Sequence, residues 1–187
     1  MSGFYMYQED EDKNVLQQIT GWAIDILAVV GLAIFLVTCL GNVRTVSGQS
    51  MEPTLSADDR VLLDDHLFKA LGLERYDIVQ FTLENDEEQV NLKRIVGLPG
   101  ETIQIRDGHL VVNGEVQPVY EPLGEISIPG IAAEEITLGS DEYFLIGDNT
   151  NGSADSRSED IGPIAYQDIC GCVWFRITPW DKIGPVS

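Results

Sequence analysis

From Trp22 to Leu40 almost every position is apolar. A run of about 19 residues makes a helix of roughly 28 Å, close to the hydrocarbon thickness of a bilayer, and predicts a membrane span over 22–40. A buried core helix or a cleavable signal peptide would carry a similar run. A cleaved signal, however, has a basic segment before it and a small-x-small site after it, whereas here Glu9-Asp10-Glu11-Asp12 precedes and Val43-Arg44-Thr45-Val46 follows. These features favour an uncleaved anchor. Asp25 lies near one end of the run, where its carboxylate can reach the interface. Residues 1–21 are polar, flecked with aromatics, and read as a short mobile tail.

Beyond residue 41 the pattern shortens to strands. Residues 60–63, 77–81 and 90–96 are β-branched or alternating runs between polar turns. Residues 102–106 and 109–112 flank Asp107-Gly108, a pair suited to the positive φ angles of a type I′ hairpin turn, and Asn113-Gly114 marks another turn directly after. Further strands are predicted over 126–128, 143–146 and 171–177, with one helical pattern near His66 to Gly72. The expected fold class is therefore mainly β: an antiparallel sheet domain over 41–187, preceded by one N-terminal transmembrane helix.

Charge narrows the partners. With 31 acidic against 11 basic residues and a net charge of -20, the chain is not expected to bind nucleic acid. The two charges flanking the span, Lys13 and Arg44, nearly cancel, so they do not set its orientation. Three cysteines are too few and too oddly placed for a disulfide framework: Cys39 lies in the apolar run, and Cys170 and Cys172 flank one glycine. They read as small strand residues. No metal site or cofactor is expected.

Three segments carry candidate chemistry. Ser47-Gly48-Gln49-Ser50-Met51-Glu52-Pro53-Thr54-Leu55 is bent by Gly48 and Pro53, so the Ser50 hydroxyl can be presented rather than buried. Histidine is a poor candidate for its base: His66 sits among acidic residues, His109 follows a hairpin turn, and both read as surface positions. No Gly-x-Ser-x-Gly, Ser-x-x-Lys or His-Glu-x-x-His string occurs. The second segment, Asn91-Leu92-Lys93-Arg94-Ile95-Val96-Gly97-Leu98-Pro99-Gly100, sets Lys93 inside a strand whose near neighbours bring no carboxylate. Neighbouring strand residues point to opposite faces, so Arg94 would meet solvent or the other surface if Lys93 faces a pocket. A lysine serves as a base near neutrality only if its pKa falls by roughly three units from about 10.4, which burial can achieve. The third segment is Gly147-Asp148-Asn149-Thr150-Asn151-Gly152-Ser153-Ala154-Asp155-Ser156-Arg157.

In this order the three segments resemble the signature boxes of the type I signal peptidases, membrane-bound serine proteases with a Ser/Lys dyad. The resemblance covers nearly all of 22–187. It implies Ser50 as nucleophile and Lys93 as general base, with Ser153 hydrogen-bonding the lysine and Asp155 paired to Arg157 behind it. It further implies that strands 42–49 and 90–93 offer edges to an extended substrate, with Met51, Leu55, Asn91 and Leu92 contributing to substrate binding and apolar pockets that admit small residues. The implied substrates are signal-peptide-bearing precursors, cut after small-x-small, typically Ala-x-Ala. The implied location is the cell membrane, with the tail 1–21 cytoplasmic, a single pass, and the catalytic domain extracytoplasmic at the lipid bilayer.

Departures from the family pattern are few. Thr150 stands where an arginine is usual and Asn91 where many members have tyrosine; Gly48 lacks the hydroxyl that some members use as an oxyanion donor, leaving backbone N–H groups, that of Ser50 first. Two other classes are weighed. A self-cleaving repressor should carry a DNA-binding helical domain and no span, the reverse of this chain. A catalytically silent assembly or docking factor would be expected to lack Ser50 or Lys93, and both are present.

Overall fold

The computed structural model describes the backbone of residues 3–40, 42–66, 68–83 and 86–186, and the side chains of 17–35, 42–66, 68–83 and 91–186. The chain divides into two compact units, Met1–Gly41 and Asn42–Ser187.

The first unit is one helix, α1 (Gly3–Leu40). The expected tail is thus helical from Gly3 onward: between Gly3 and Gly21 the segment contains no proline or further glycine, and its Met, Gln, Glu and Leu residues favour helix. Among the residues whose side chains are described, the apolar stretch long enough to cross a membrane is Gln17–Phe35, and none of it is buried within the protein; positions 36–40 of the predicted span lie outside them. Trp22, Leu27 and Phe35 are all exposed along it.

The second unit is built from twelve strands among the described residues: β1 (Val43–Thr45), β2 (Arg60–Asp64), β3 (Ile78–Leu83), β4 (Asp86–Gly97), β5 (Thr102–Arg106), β6 (His109–Val112), β7 (Glu115–Val116), β8 (Ile136–Thr137), β9 (Glu142–Ile146), β10 (Ile164–Ala165), β11 (Ile169–Thr178) and β12 (Gly184–Pro185). The larger sheet runs β1-β2-β11-β3-β4-β9-β10 with β12 on β11, and the smaller runs β7-β6-β5-β8. Every described pairing is antiparallel. The predicted helix is a single turn, α2 (Phe68–Leu71). Residues 126–128 form no strand. Ile126 instead tucks into the core beside Leu123, and its N–H bonds Gly108 O at 2.9 Å, so the apolar alternation there reflects one buried side chain in a loop.

Alternation along the central strands separates two cores. Ile78 and Leu92 lie on one face with Val46, Met51, Leu55, Val61, Leu63 and Val173. Val79, Phe81 and Ile95 lie on the other with Tyr143, Leu145 and Ile169. A third core joins the smaller sheet to β4 and β9 through Ile103, Val112, Phe144 and Ile146. Register shifts on β11 between Val173 and Phe175, and between Arg176 and Thr178, are bulges that increase twist and bend that strand. At the hairpin predicted from Asp107-Gly108 both residues have positive φ, 52° and 78°, as a type I′ turn demands.

Cys170 and Cys172 are free thiols, as expected of small strand residues, and burial pushes the Cys172 thiol up to about 12. Trp174 and Trp180 are exposed; Trp180 retains 87% of its surface because the chain leaves β11 before it.

Candidate active site

Ser50 sits in a loop closed at both ends by backbone bonds, Val46 N–H to Asp59 O at 2.8 Å and Asp58 N–H to Val46 O at 3.0 Å. One helical turn inside it, Leu55 N–H to Met51 O at 2.8 Å, drops Met51 and Leu55 into the core and leaves Ser50 half-buried. Asn149 N–H bonds Ser50 O at 3.0 Å and Asn149 Nδ2 bonds Gln49 O at 3.2 Å, which ties the third segment to the first. Arg176 on β11 donates to Thr54 O at 2.7 Å from the other side.

Lys93 lies on β4 opposite Val79, and it is 3% exposed. Its Nζ donates to Ser50 Oγ at 3.0 Å and to Leu92 O at 3.1 Å. Burial pushes the amine below the ordinary lysine range, and the Asp155 carboxylate opposes that shift. The shift is toward the neutral amine, beside a hydroxyl.

Asp155 and Arg157 form the expected ion pair, with Nε to Oδ1 and Nη2 to Oδ2 both at 2.8 Å. Burial alone would raise the Asp155 carboxyl, but the Arg157 guanidinium and the Gly147 N–H hold it below the usual range. Arg157 spends its remaining donors on Ile128 O and Thr150 O. The expected hydrogen bond from Ser153 to Lys93 is not formed. Ser153 Oγ is buried without a partner of normal geometry, close enough to Asp155 only to favour the ionised carboxyl. The segment is a loop of turns rather than the extended chain that would set 153, 155 and 157 on one side.

Arg94 also departs from expectation. It meets neither solvent nor an outer surface: it is 0% exposed and bidentate with the equally buried Asp148, Nε to Oδ1 and Nη2 to Oδ2 at 2.8 Å. Asp148 in turn accepts from the Thr54 hydroxyl of the serine loop, and Arg94 donates to Tyr76 O at 2.6 Å and to Tyr120 OH at 3.2 Å. Tyr76 stacks on Tyr120 with ring centroids 4.0 Å apart. Arg94 and Asp148 thus join β4, the serine loop and the third segment. Sequence reasoning missed this pair, although a charged residue on a strand with apolar Leu92 and Val96 two positions to either side, on its own face, was a signal that a carboxylate must follow it inside.

Of the other predicted site residues, Met51, Leu55 and Leu92 are packed together in one core, and Asn91 is half-buried on β4 opposite Phe81. His66 is exposed beside Asp65 and His109 half-buried on β6, neither bonded to Ser50. Among the described residues no cluster of metal-ligating side chains occurs.

Residues 19–180 match the family model described as "Signal peptidase, peptidase S26". The chain is 29% identical to signal peptidase I of Bacillus amyloliquefaciens, an alignment covering 95% of this chain and 98% of the relative. It is 30% identical to signal peptidase I of Bacillus licheniformis over 94% of this chain and 97% of that one. A crystal structure of a signal peptidase I from Enterococcus faecalis V583 is similar over 54% of this chain and 95% of its own, at 26% identity and a TM-score of 0.42.

Proposed function

The chain belongs to the signal peptidase S26 family and is a serine endopeptidase of the signal peptidase I kind; we propose that it removes signal peptides from exported precursors with Ser50 as nucleophile and Lys93 as general base. The observation that carries the assignment is the 3.0 Å contact between Nζ and Oγ, made by a lysine almost wholly withdrawn from water. Neutral Lys93 takes the Oγ proton as the oxygen attacks the scissile carbonyl, and the Ser50 N–H is the proposed donor to the oxyanion. The ammonium then returns the proton to the leaving amine. Water, activated by the same amine, hydrolyses the acyl-enzyme and frees Ser50.

The substrate is proposed to lie extended beside β4. There, pairing with β9 covers Arg94–Gly97, and residues 91–93 lie outside that ladder. β1, paired with β2, offers the second edge. Met51 and Leu92, buried near this edge, are the proposed lining of pockets for small side chains. We assign α1 as the anchor, with the peptidase unit on the extracytoplasmic side and exposed Trp174 and Trp180 suited to headgroup depth.

Full-length protein in detergent should cut a precursor with an Ala-x-Ala site after the second alanine and spare the same precursor with phenylalanine there, as product masses will show. Equal processing of both, or of neither, would refute the assignment. In intact cells, added protease should reach residues near position 187; protection there would reverse the topology.

The pH profile has a definite sign. Only the neutral amine works, so kcat/KM should rise with pH through an apparent pKa below the 10.5 of a free lysine. Asp155→Asn removes the charge that holds the proton on Lys93, so the acid limb should move to lower pH. A limb unchanged in that variant would assign it to another group. Between the folded and unfolded lysine pKa values the unfolded chain binds more protons, so the buried amine costs stability, in full below the folded value and progressively less as pH rises toward the unfolded one.

Gly147 is a further check. A Cβ there would lie 2.2 Å from Ser153 Oγ and 2.5 Å from Ser50 O, and the second atom is backbone. Gly147→Ala should displace Ser50 and lower kcat by about 100-fold, since misplacements near 1 Å cost that much. Far-ultraviolet circular dichroism should stay as in the parent.

A further inference from the structure

Among the described residues, the buried side chains on the inner face of the larger sheet are apolar with two exceptions. Cross-strand partners share a face, which places Gln80 opposite Leu92 on β4 and opposite Gly171 on β11. Ile78, two residues before it, pairs with Arg94 and Val173. Ile78, Leu92 and Val173 belong to the core that also holds Met51, Leu55 and Leu63. Arg94, one exception, is fully matched by Asp148. Gln80 is the other: only 6% exposed, with Oε1 buried and without a hydrogen-bond partner.

An orphaned buried amide oxygen loses its hydration without recompense, and a leucine or valine at this position would be the stabler choice. Gly171 brings no side chain against the amide, and a Cβ there would lie 2.7 Å from Leu63 Cδ2, so the neighbouring strand cannot supply a partner. A group that arrives with a substrate can. Leu92 precedes the base, Lys93, and belongs to the stretch of β4 assigned to substrate binding. Gln80 therefore lies under that edge, one ladder row beyond the Val79–Lys93 row. Side chains of an extended peptide return to the same face every second residue, so a peptide along β4 whose last small residue lies against Met51 and Leu92 turns the third residue before the scissile bond to that same face, which Gln80 shares.

We propose that Gln80 is a specificity-determining residue that accepts a hydrogen bond from a serine or threonine hydroxyl at the third position before the scissile bond. A hydroxyl both donates and accepts, so it satisfies the amide in either orientation, and it is small enough for the pocket. Alanine is tolerated there, and valine, which has the shape of threonine, leaves the oxygen unpaired.

The inference rests on the signal peptidase assignment, and the test separates the two. Precursors differing only at that position, carrying threonine or valine, are processed by parent protein, Gln80→Met and Gln80→Leu in detergent, and kcat/KM is measured for each. The parent should prefer threonine by about five- to tenfold, the worth of one hydrogen bond formed in a buried site. In both variants the preference should fall to unity or reverse, and the same exchange at the residue next to the bond should be unaffected by Gln80. A threonine to valine ratio equal in parent and variants overturns the role of Gln80 while leaving the peptidase intact; failure of the parent to cut any precursor overturns both. The ratio is taken within one protein, so reduced folding of a variant cancels, and Gln80→Met preserves length and volume.

Discussion

Replacing Lys93 by methionine should reduce kcat/KM for precursor cleavage by about 10⁴-fold, and Ser50→Ala by as much or more. Methionine keeps most of the lysine stem in its buried slot, so the effect isolates the amine. Lys93→Arg should be equally inactive, because a guanidinium never gives up its proton near neutrality. Residues that act as a unit are not additive, and the double variant should be no worse than Ser50→Ala alone. Thermal midpoints should stay near the parent for Lys93→Met, since the change removes a polar group from a site that disfavours its charge. Retention of a tenth or more of the activity by Lys93→Arg would place the base elsewhere.

Asp148→Ala should destabilise the peptidase unit by about 3–5 kcal/mol, because it leaves the Arg94 charge buried and unpaired. For a chain of this size that is roughly 10–15 °C in Tm. Activity should fall with it: Thr54 loses its acceptor, and with it one of the ties between the serine loop and β4. The double variant Arg94→Met with Asp148→Leu removes both charges and should recover much of the lost stability without recovering all of the activity, since Thr54 and Tyr76 O stay untied. Thermal melts and precursor assays on the same preparations would show this. Equal Tm for parent and Asp148→Ala would mean that water reaches Arg94.

The two arginine–carboxylate pairs serve different ends. Arg157 neutralises Asp155, the carboxylate that would otherwise keep Lys93 protonated, while Arg94 and Asp148 position the loop that carries Ser50. One was foreseeable, because the third segment matched a known box. The other was not. Asp148 lies in Gly147-Asp148-Asn149, a string typical of any turn, and nothing local distinguishes it as a partner for Arg94 among 31 acidic residues.

What the sequence by itself determined is whatever depends on neighbours along the chain. An apolar run sets a helix long and apolar enough to cross a membrane, alternation sets the strands, Asp107-Gly108 sets a hairpin, and three boxes in order set the family. The same local logic misjudged residues 126–128, where one buried isoleucine imitated a strand, and the start of α1, where polar helix formers continue the helix past the apolar run. Only the tertiary structure decided what depends on groups distant in sequence. Ser50 and Lys93 meet at 3.0 Å across 43 positions, Arg94 finds Asp148 across 54, and Gln80 Oε1 is left inside without a hydrogen-bond partner. The reason is physical: burial and pairing are properties of a folded sheet, and they set both the proton affinity of a lysine and the cost of an unmatched amide.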